Sequence, residues 1–266
     1  MAGARPFGRG SWATITIIVH VNPMHPWPYP RLIAHRGGAD LSPENTLPAF
    51  AEAARRGYRA VECDVALSAD GVPVLLHDDT LERTTDGGGR LADVTLAALA
   101  QLDAGAWFHP RFAGTRIPTL EHAIAAWQQA GQQAFIELKT GEGQDPQRLG
   151  RTVAALVTRC WRGAPPLFIS FCAEALAAAA AEASQIPRAL LLDGRWPSDW
   201  PAQVAAVQGC ALDVEHGLIT RARVAEVHAA GVRLLAWTVN EPQRAAELLA
   251  WGVDGITTDA IDRIAP

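Results

Sequence analysis

Short apolar runs rich in branched residues recur along the chain, and helix-like segments separate most of them. Continuous apolar runs of this kind are typical of strands buried on both faces of a parallel sheet. We predict strands at Leu32–His35, Ala60–Leu67, Val72–His77, Ala134–Lys139, Leu167–Phe171, Arg188–Asp193, Cys210–Val214, Val232–Val239 and Val253–Thr257. The third run follows a turn signal and is treated as a special case, which leaves eight strands for a parallel sheet.

Amphipathic patterns of helical period lie between these strands. We predict helices at Leu47–Arg56, Leu120–Ala130, Pro146–Arg159, Ala173–Ala183, Arg221–Ala230 and Pro242–Trp251. Several of them are followed by a glycine, which can close the last turn in a left-handed conformation. The alternation predicts an α/β fold, and eight βα units in about 240 residues match a (β/α)8 TIM barrel. A doubly wound open sheet is the alternative, but the strand count favours the closed barrel.

The segment from about 79 to 118 breaks the alternation, because it is rich in loop residues and contains one short amphipathic stretch. Connections of this length in compact domains are usually functional loops. We predict a barrel domain over residues 27–266, with a small insertion at 79–118 after the second strand that lies over one end of the barrel.

Residues 1–26 are predicted to form an N-terminal extension. Arginines precede an apolar stretch from Trp12 to Val21, so a secretory signal is one interpretation. Thr14 and Thr16 interrupt that stretch, and no cleavage-site pattern follows it. An ordered or frayed extension is the second interpretation, and the favoured one is a stretch upstream of a natural start at Met24.

Composition excludes several classes of protein. The net charge of −5 over 266 residues argues against non-specific nucleic-acid binding, so an anionic ligand needs a local group of positive charges. The four cysteines are widely spaced and form no C-x-x-C pair, which fits a reduced, cytoplasmic protein better than a zinc or redox protein. No run approaches about 18 apolar residues, so we expect no stable membrane association. The oligomeric state is not predicted.

Asp70-Gly71 lies between two apolar runs and predicts a two-residue hairpin turn. Counting outward from this turn places Asp64 opposite His77, and the period of two then puts Glu62 on the same face. The opposite face is predicted to collect Cys63, Val65, Leu67, Val74 and Leu76.

Oxygen ligands on two strands predict a site for a hard cation. Glu62, Asp64 and Glu137 offer carboxylates, which suit magnesium or calcium better than zinc. The ends of barrel strands converge at the C-terminal face, where Arg36 and Lys139 supply positive charge. Three carboxylates and a phosphodiester carry four negative charges, and a divalent cation with these two residues carries four positive ones. Two histidines at strand ends, His35 and His77, remain for general base and acid chemistry near neutral pH.

Six segments in order resemble the glycerophosphodiester phosphodiesterase family, specifically its bacterial cytoplasmic members. They read "AHRGGADLSPENTLPAF", "ECD", "VPVLLHDDTLERTTDGGG", "FIELK", "WTVN" and "GVDGITTD", and the likeness runs from about Trp27 to Ala265. The resemblance implies a (β/α)8 barrel with a small insertion, a cytoplasmic location and a divalent cation, either magnesium or calcium, with manganese as a further option. It assigns the cation to Glu62, Asp64 and Glu137, acid–base catalysis to His35 and His77, and phosphate binding to Arg36 and Lys139.

The resemblance implies metal-dependent hydrolysis of small glycerophosphodiesters, such as glycerophosphocholine or glycerophosphoethanolamine, to sn-glycerol 3-phosphate and an alcohol. We predict His35 as the base and His77 as the acid, while the nucleophile is either water or the substrate's 2-hydroxyl. A related enzyme that cleaves lysophospholipids, as a lysophospholipase D does, is the alternative activity. A non-catalytic anion-binding barrel is the alternative from another class of protein.

Several residues have two interpretations. Glu44 of "PENT" falls where the family has a glutamate near the site, whereas Asn45 or Thr46 is predicted to cap the helix that begins near Leu47. Trp237 and Asn240 of "WTVN" are either substrate-pocket residues or strand-end packing, with Trp237 placed to cover the glycerol group. For His216, which also ends a strand, structural packing is favoured.

Overall fold

The computed structural model describes residues 27–266, so the predicted extension at 1–26 and the proposed start at Met24 lie outside the described residues. The strands are β1 Leu32–Ala34, β2 Ala60–Leu67, β3 Pro73–Leu75, β4 Gln133–Leu138, β5 Leu167–Ser170, β6 Arg188–Leu192, β7 Ala211–Glu215, β8 Arg233–Trp237 and β9 Gly255–Thr258. The helices are α1 Leu47–Arg55, α2 Leu96–Leu99, α3 Leu120–Ala130, α4 Pro146–Cys160, α5 Ala173–Glu182, α6 Trp200–Ala206, α7 Arg221–Ala229 and α8 Pro242–Trp251.

Eight parallel strands close into a barrel, because β1 pairs with both β2 and β9. The remaining strands follow in the order β9, β8, β7, β6, β5, β4 and β2, and β3 lies antiparallel on the outer edge of β2. The predicted TIM barrel is therefore confirmed, and the open sheet is wrong. Each of the six predicted helices is present with ends within one residue of the prediction, whereas the short helices α2 and α6 were not predicted.

Apolar side chains fill the barrel on both sides of the sheet. Inward-facing residues, such as Ile33 and Phe135, form a small interior cluster, while Cys63 and Val65 of β2 belong to the larger layer between strands and helices. Since successive strand residues point to opposite faces, Glu62 and Asp64 point into the barrel. The interior thus changes from apolar to charged towards the carboxyl ends of the strands.

The insertion has a small core of its own. Leu81, Leu91 and Leu99 of the insertion pack with Val74 and Leu76 of the hairpin. This cluster anchors the insertion to the β2–β3 hairpin, next to the strand that carries two of the predicted metal ligands.

The hairpin register differs from the prediction by one residue. Val65 pairs with Leu75, and the loop contains three residues because Gly71 adopts a left-handed φ of 81°. A type I turn followed by a left-handed glycine gives such three-residue loops, so the predicted two-residue turn is wrong. A slip of one residue turns each side chain to the other face, which explains why Val74 and Leu76 face the insertion instead of the barrel helices.

The slip also separates Asp64 from its predicted partner. The backbone of Asp64 lies opposite Leu76, whose N–H donates to the Asp64 carbonyl (3.2 Å), and β3 ends at Leu75. His77 therefore follows the strand instead of belonging to it.

In the described residues, no helix is long and apolar enough to cross a bilayer.

Candidate active site

The loop after β1 places Arg36 over the carboxylates of β2. Arg36 has a left-handed φ of 50°, which is uncommon for a residue with a side chain and costs about 1–3 kcal/mol. In this conformation its backbone N–H donates to Oε2 of Glu62 (3.1 Å). Gly37 and Gly38 continue with φ of 85° and 96°, and a Cβ on Gly37 would lie 2.8 Å from the backbone of Ala49. Both glycines thus permit the turn, and Gly37 also permits close packing on α1.

Glu62, Asp64 and Glu137 converge at the mouth of the barrel. The β2–β4 register pairs Asp64 with Glu137, and one ligand atom from each of the three residues lies within 4.8 Å of the others. Glu62 and Asp64 are buried, and Oδ1 of Asp64 accepts no hydrogen bond from the described residues. A buried carboxylate oxygen without a hydrogen-bond donor is costly unless a cation neutralises it. The donor set and this oxygen both fit a hard divalent cation.

The three carboxyl groups have very different proton affinities. Burial and the neighbouring carboxylates Asp64 and Glu137 raise the pKa of Glu62 well above its usual range. Burial and Asp64 likewise raise the pKa of Glu137 to about 7. Burial acts in the same direction on Asp64, but the charges of Arg36 and Lys139 outweigh it and lower the pKa of Asp64 to about 2. Asp64 is therefore the ligand that stays ionised at every physiological pH.

Two positive side chains lie beside this carboxylate triad. Nζ of Lys139 is 3.0 Å from Oε1 of Glu137 and 3.7 Å from Oδ1 of Asp64. Nε of Arg36 is 3.1 Å from Oδ2 of Asp64, and its Nη1 donates to Oε1 of Glu44 (2.8 Å). The structure thus brings both predicted phosphate-binding residues to the triad, and places Glu44 against one of them.

His35 is supported by a carboxylate that sequence reasoning missed. Its Nδ1 lies 2.6 Å from Oδ1 of Asp259, and its Nε2 lies 3.8 Å from Oε2 of Glu62. The side-chain amide of Asn240 donates to Oδ2 of Asp259 (2.9 Å) and accepts from the Asp259 backbone N–H (2.9 Å). A carboxylate at Nδ1 keeps the proton there and leaves Nε2 directed at the triad. Asn240 therefore acts on Asp259, not on the pocket.

His77 is supported in a similar way from its own neighbour. Its Nδ1 lies 2.6 Å from Oδ1 of Asp78, whose carboxylate is also bound by Arg83 of the insertion. Burial lowers the pKa of His77, and the charges of Arg36 and Lys139 add to this effect against the attraction of Asp64. The "HDD" sequence placed Asp78 next to His77, and Arg83 lies in the same family-like segment, but no spacing rule related Arg83 to Asp78.

Asn45 does not cap the helix as predicted but binds Asp64. Its Nδ2 donates to Oδ2 of Asp64 (2.8 Å), and its Oδ1 accepts from the Asp64 backbone N–H (3.1 Å). Thr46 occupies the N-cap position of α1, but its hydroxyl donates to the carbonyl of Pro43 (2.6 Å) and caps no helix N–H. The predicted side-chain cap is therefore wrong, because Asn45 holds a candidate metal ligand instead. The backbone of Asn45 has a left-handed φ of 56°, a region that asparagine tolerates better than most residues do.

A cavity of about 470 Å³ opens beside the triad and is lined by His77, Asp78, Asp79, Glu137, Leu138, Lys139, Thr140, Gly141, Ser170 and Phe171. Phe171 is 43% exposed, and its ring meets the ring of Trp237 edge-on at 5.6 Å. Trp237 also donates from Nε1 to the carbonyl of Asp213 (3.2 Å). The predicted aromatic residue thus lies next to the cavity wall, and Phe171 is an aromatic partner that sequence reasoning missed. Nδ1 of His216 has no hydrogen-bond partner among the described residues, and the His216 carbonyl accepts from Arg244 (2.6 Å), so its packing function stays a prediction.

A fourth carboxyl group lies inside the barrel, and one of its oxygens accepts no hydrogen bond from the described residues. Asp213 of β7 pairs with Leu191 and Leu235, both of which belong to the interior cluster. It is 1% exposed, and its Oδ1 has no hydrogen-bond partner. Burial, with a smaller contribution from Glu137, raises its pKa to about 8. Burial thus favours the neutral form of Asp213 near pH 7.

Comparison with known proteins places this geometry in a family. Residues 35–263 match the Glycerophosphoryl diester phosphodiesterase family. YhdW of Bacillus subtilis is 34% identical over 247 residues, which cover 88% of this chain and 96% of that protein. The glycerophosphodiester phosphodiesterase of Caldanaerobacter subterraneus is 32% identical over 231 residues, covering 86% of this chain and 93% of that protein.

A solved structure resembles both the fold and the sequence. The phosphodiesterase of Oleispira antarctica, determined in complex with the product sn-glycerol-3-phosphate, superimposes with a TM-score of 0.85 and 36% sequence identity. The match covers 89% of this chain and 95% of that one. Sequence motifs, barrel and carboxylate triad agree with these comparisons, and the chain belongs to the glycerophosphoryl diester phosphodiesterase family.

Proposed function

We propose that the protein hydrolyses small glycerophosphodiesters, such as glycerophosphocholine and glycerophosphoethanolamine, to sn-glycerol 3-phosphate and an alcohol, and that the reaction needs a divalent cation. The observation that carries the proposal is the arrangement of two histidines, each with Nδ1 on an aspartate, around the carboxylate triad. The product bound by the Oleispira relative supports the same reaction here.

The carboxylates of Glu62, Asp64 and Glu137 would hold the cation, which we expect to be magnesium, calcium or manganese. When bound, such a cation polarises a phosphate oxygen and orients the diester. The protein's own contribution is to keep Asp64 ionised through Arg36 and to fix its carboxylate through Asn45.

His35 acts as the general base. Oδ1 of Asp259 faces the His35 ring, and its other oxygen meets only the neutral amide of Asn240 among the described contacts. The carboxylate of Asp259 stabilises the imidazolium that forms when Nε2 takes a proton from the nucleophile. Asp259 remains ionised, because the hydrogen bond and charge of His35 outweigh burial and lower the pKa of the Asp259 carboxyl.

His77 acts as the general acid. The carboxylate of Asp78 is shared between His77 and the guanidinium of Arg83, so it holds the proton of the ring less firmly. This suits a group that must give a proton to the leaving oxygen of the alcohol. Arg36 and Lys139 lie where they can stabilise the negative charge that develops on the phosphoryl oxygens.

The test is an assay of the purified protein with glycerophosphocholine, in which sn-glycerol 3-phosphate is followed with magnesium, calcium or manganese and with a chelator. We expect product with at least one cation and none with the chelator. Phosphorus NMR in the same assay separates direct hydrolysis from passage through a cyclic phosphate. Absence of product with all three cations at millimolar concentration contradicts the proposal. When the site histidines are replaced by alanine, His122→Ala, on an exposed face of α3, is the matched control.

A lysophospholipid is the second candidate substrate, and the exposed ring of Phe171 at the cavity is the observation that favours it. The rate with glycerophosphocholine divided by the rate with lysophosphatidylcholine distinguishes the two. We expect a ratio well above one, and a ratio below one supports the lysophospholipid.

A further inference from the structure

Arg83 binds two carboxylates with its whole guanidinium group. Its Nη1 and Nη2 donate to Oε2 and Oε1 of Glu44, each at 2.8 Å. Its Nη2 also donates to Oδ1 of Asp78 (2.9 Å), and its Nε donates to Oδ2 of the same residue. Both oxygens of both carboxylates are therefore engaged, in the planar geometry that suits arginine and that lysine cannot reproduce.

The two carboxylates contact residues on opposite sides of the site: Asp78 contacts His77, and Glu44 contacts Arg36. Oδ1 of Asp78 is the atom that meets Nδ1 of His77, and Oε1 of Glu44 is the atom that accepts from Nη1 of Arg36. Hydrogen bonds thus run without a break from His77 through Arg83 to the loop after β1. His77 itself lies beyond the end of β3, so no strand pairing holds it in place.

We propose that Arg83 is a positioning residue for the reaction assigned above: it ties Asp78 to the Glu44–Arg36 pair and thereby fixes the His77 ring for proton transfer to the leaving group. The inference rests on the proposed function and adds to it a residue of the insertion. Arg83 belongs to neither the carboxylate triad nor the residues that line the cavity.

Stability alone is a poor explanation of this arrangement. The Arg83 side chain is 44% exposed, and exposed ion pairs contribute about 0–1 kcal/mol each. We therefore expect Arg83→Gln to remain folded. A misplaced catalytic group, in contrast, can lower a rate about 10²-fold even when the shift is near 1 Å.

Arg90 provides a matched control on the same insertion. Its side chain is 43% exposed and also binds two carboxylates, through Nε to Asp93 (2.9 Å) and through Nη1 to Glu142 (2.7 Å). Neither carboxylate has a described contact with His77 or Arg36. Arg90→Gln removes one hydrogen bond to each of two surface carboxylates without touching the chain of bonds that leads to His77.

The decisive measurement compares two leaving groups in the full-length protein. The alkoxide released from glycerophosphocholine needs a proton from His77, whereas nitrophenolate released from a p-nitrophenyl phosphodiester leaves without one. We expect Arg83→Gln to lower kcat for glycerophosphocholine about 10²-fold while kcat for the nitrophenyl diester stays near the wild-type value. Arg83→Lys should recover only part of the loss, and Arg90→Gln should match the wild type with both substrates.

Three results separate failure of the inference from failure of the proposed function. Equal losses with both substrates in Arg83→Gln, or wild-type kcat with both, overturn the positioning inference while the proposed function stands. Full recovery by Arg83→Lys overturns it too, because charge without the planar geometry would then suffice. A wild-type protein that releases no product from glycerophosphocholine overturns the proposed function, and the inference with it.

Discussion

The two site histidines make the same short contact, 2.6 Å from Nδ1 to an aspartate oxygen, within very different surroundings. Asp259 comes from the end of the last strand, and its second partner is the neutral Asn240. Asp78 is the residue next to His77, and its second partner is the charged Arg83 of the insertion. The His35 side chain is 17% exposed and the His77 side chain 33%.

Under the proposed assignment, one type of pair serves two opposite functions. Asp259, whose second hydrogen-bond partner is the neutral Asn240, supports the base, whereas Asp78, whose charge is matched by Arg83, supports the acid. The barrel supplies the first kind of support and the insertion supplies the second. Variants that exchange or remove these supports therefore test the assignment of base and acid.

Removal of each ring should give the largest effect. We expect His35→Ala to lower kcat about 10²–10⁴-fold with both glycerophosphocholine and a p-nitrophenyl diester, because a base is needed in each case. His77→Ala should lower kcat comparably with glycerophosphocholine only. Steady-state kinetics with the two substrates check this, and the reverse selectivity would show that the two functions are exchanged.

Replacement of Asp259 or Asp78 by asparagine should lower kcat to different extents in the two His–Asp pairs. The amide of Asp259→Asn can donate to Nδ1 of His35, which places the ring proton on Nε2 and prevents proton uptake there. We expect a loss of kcat of about 10²-fold or more. In Asp78→Asn the amide oxygen can still accept from Nδ1 of His77, so the ring can carry the second proton that an acid needs; we expect a smaller loss, confined to glycerophosphocholine and no greater than that of Arg83→Gln. Equal losses in the two variants, measured under the same conditions, contradict the comparison.

A pH titration should separate the supporting aspartates from the triad. Arg83 and His77 keep the pKa of Asp78 low, so its charge is constant near neutrality, whereas Glu137 titrates at about 7. A cation that binds Glu62 and Glu137 must displace their protons, because the pKa of Glu62 is raised as well, so affinity should rise with pH through 7 and fall by at least about tenfold per unit below it. Titration calorimetry with calcium or magnesium at pH 6 and pH 8 measures the affinity. As a control, repeating the titration in buffers of different ionisation enthalpy gives the number of protons released on binding. Equal affinity at both pH values would falsify the expectation.

The smallest effect is expected at Asp213, which has neither histidine nor arginine as a partner. Its folded-state pKa of about 8 exceeds the unfolded value, so the folded protein retains a proton that the unfolded chain loses near pH 4. This contribution to stability is complete below about pH 4 and is lost as the pH rises through 8. We expect Asp213→Asn to raise the free energy of unfolding at pH 8 by about 1–2 kcal/mol and to change it less at pH 5. Denaturant unfolding in chelator tests this, and an unaltered pH dependence contradicts it.

Much of the barrel could be predicted from the sequence because its signals are local and repeated. Apolar runs and helical periods recur, and Glu62 and Asp64 stand out as charges within a buried strand. The hairpin at Gly71 shows the limit of assigning strand pairs by counting residues outward from a turn. One left-handed residue changes the register, and with it the face of every residue that follows.

The supports of the two histidines were harder to predict because they depend on closure of the barrel or on an irregular loop. His35 and Asp259 are 224 residues apart, and only the pairing of β1 with β9 brings them together. Asn45 resembled a helix cap, because the same residue type serves caps and side-chain hydrogen bonds alike. Arg83 belongs to a segment without periodicity, where no pattern relates one residue to another.

The pairing of the first strand with the last has a consequence for protein synthesis. His35 leaves the ribosome early, whereas Asp259 follows β9 directly, so their contact can form only after nearly all of the described chain has been made. Under the assignment of His35 as the base, a prematurely terminated product without β9 would lack both the closed barrel and the aligned base. The topology would thus couple synthesis of the last strand to the onset of activity.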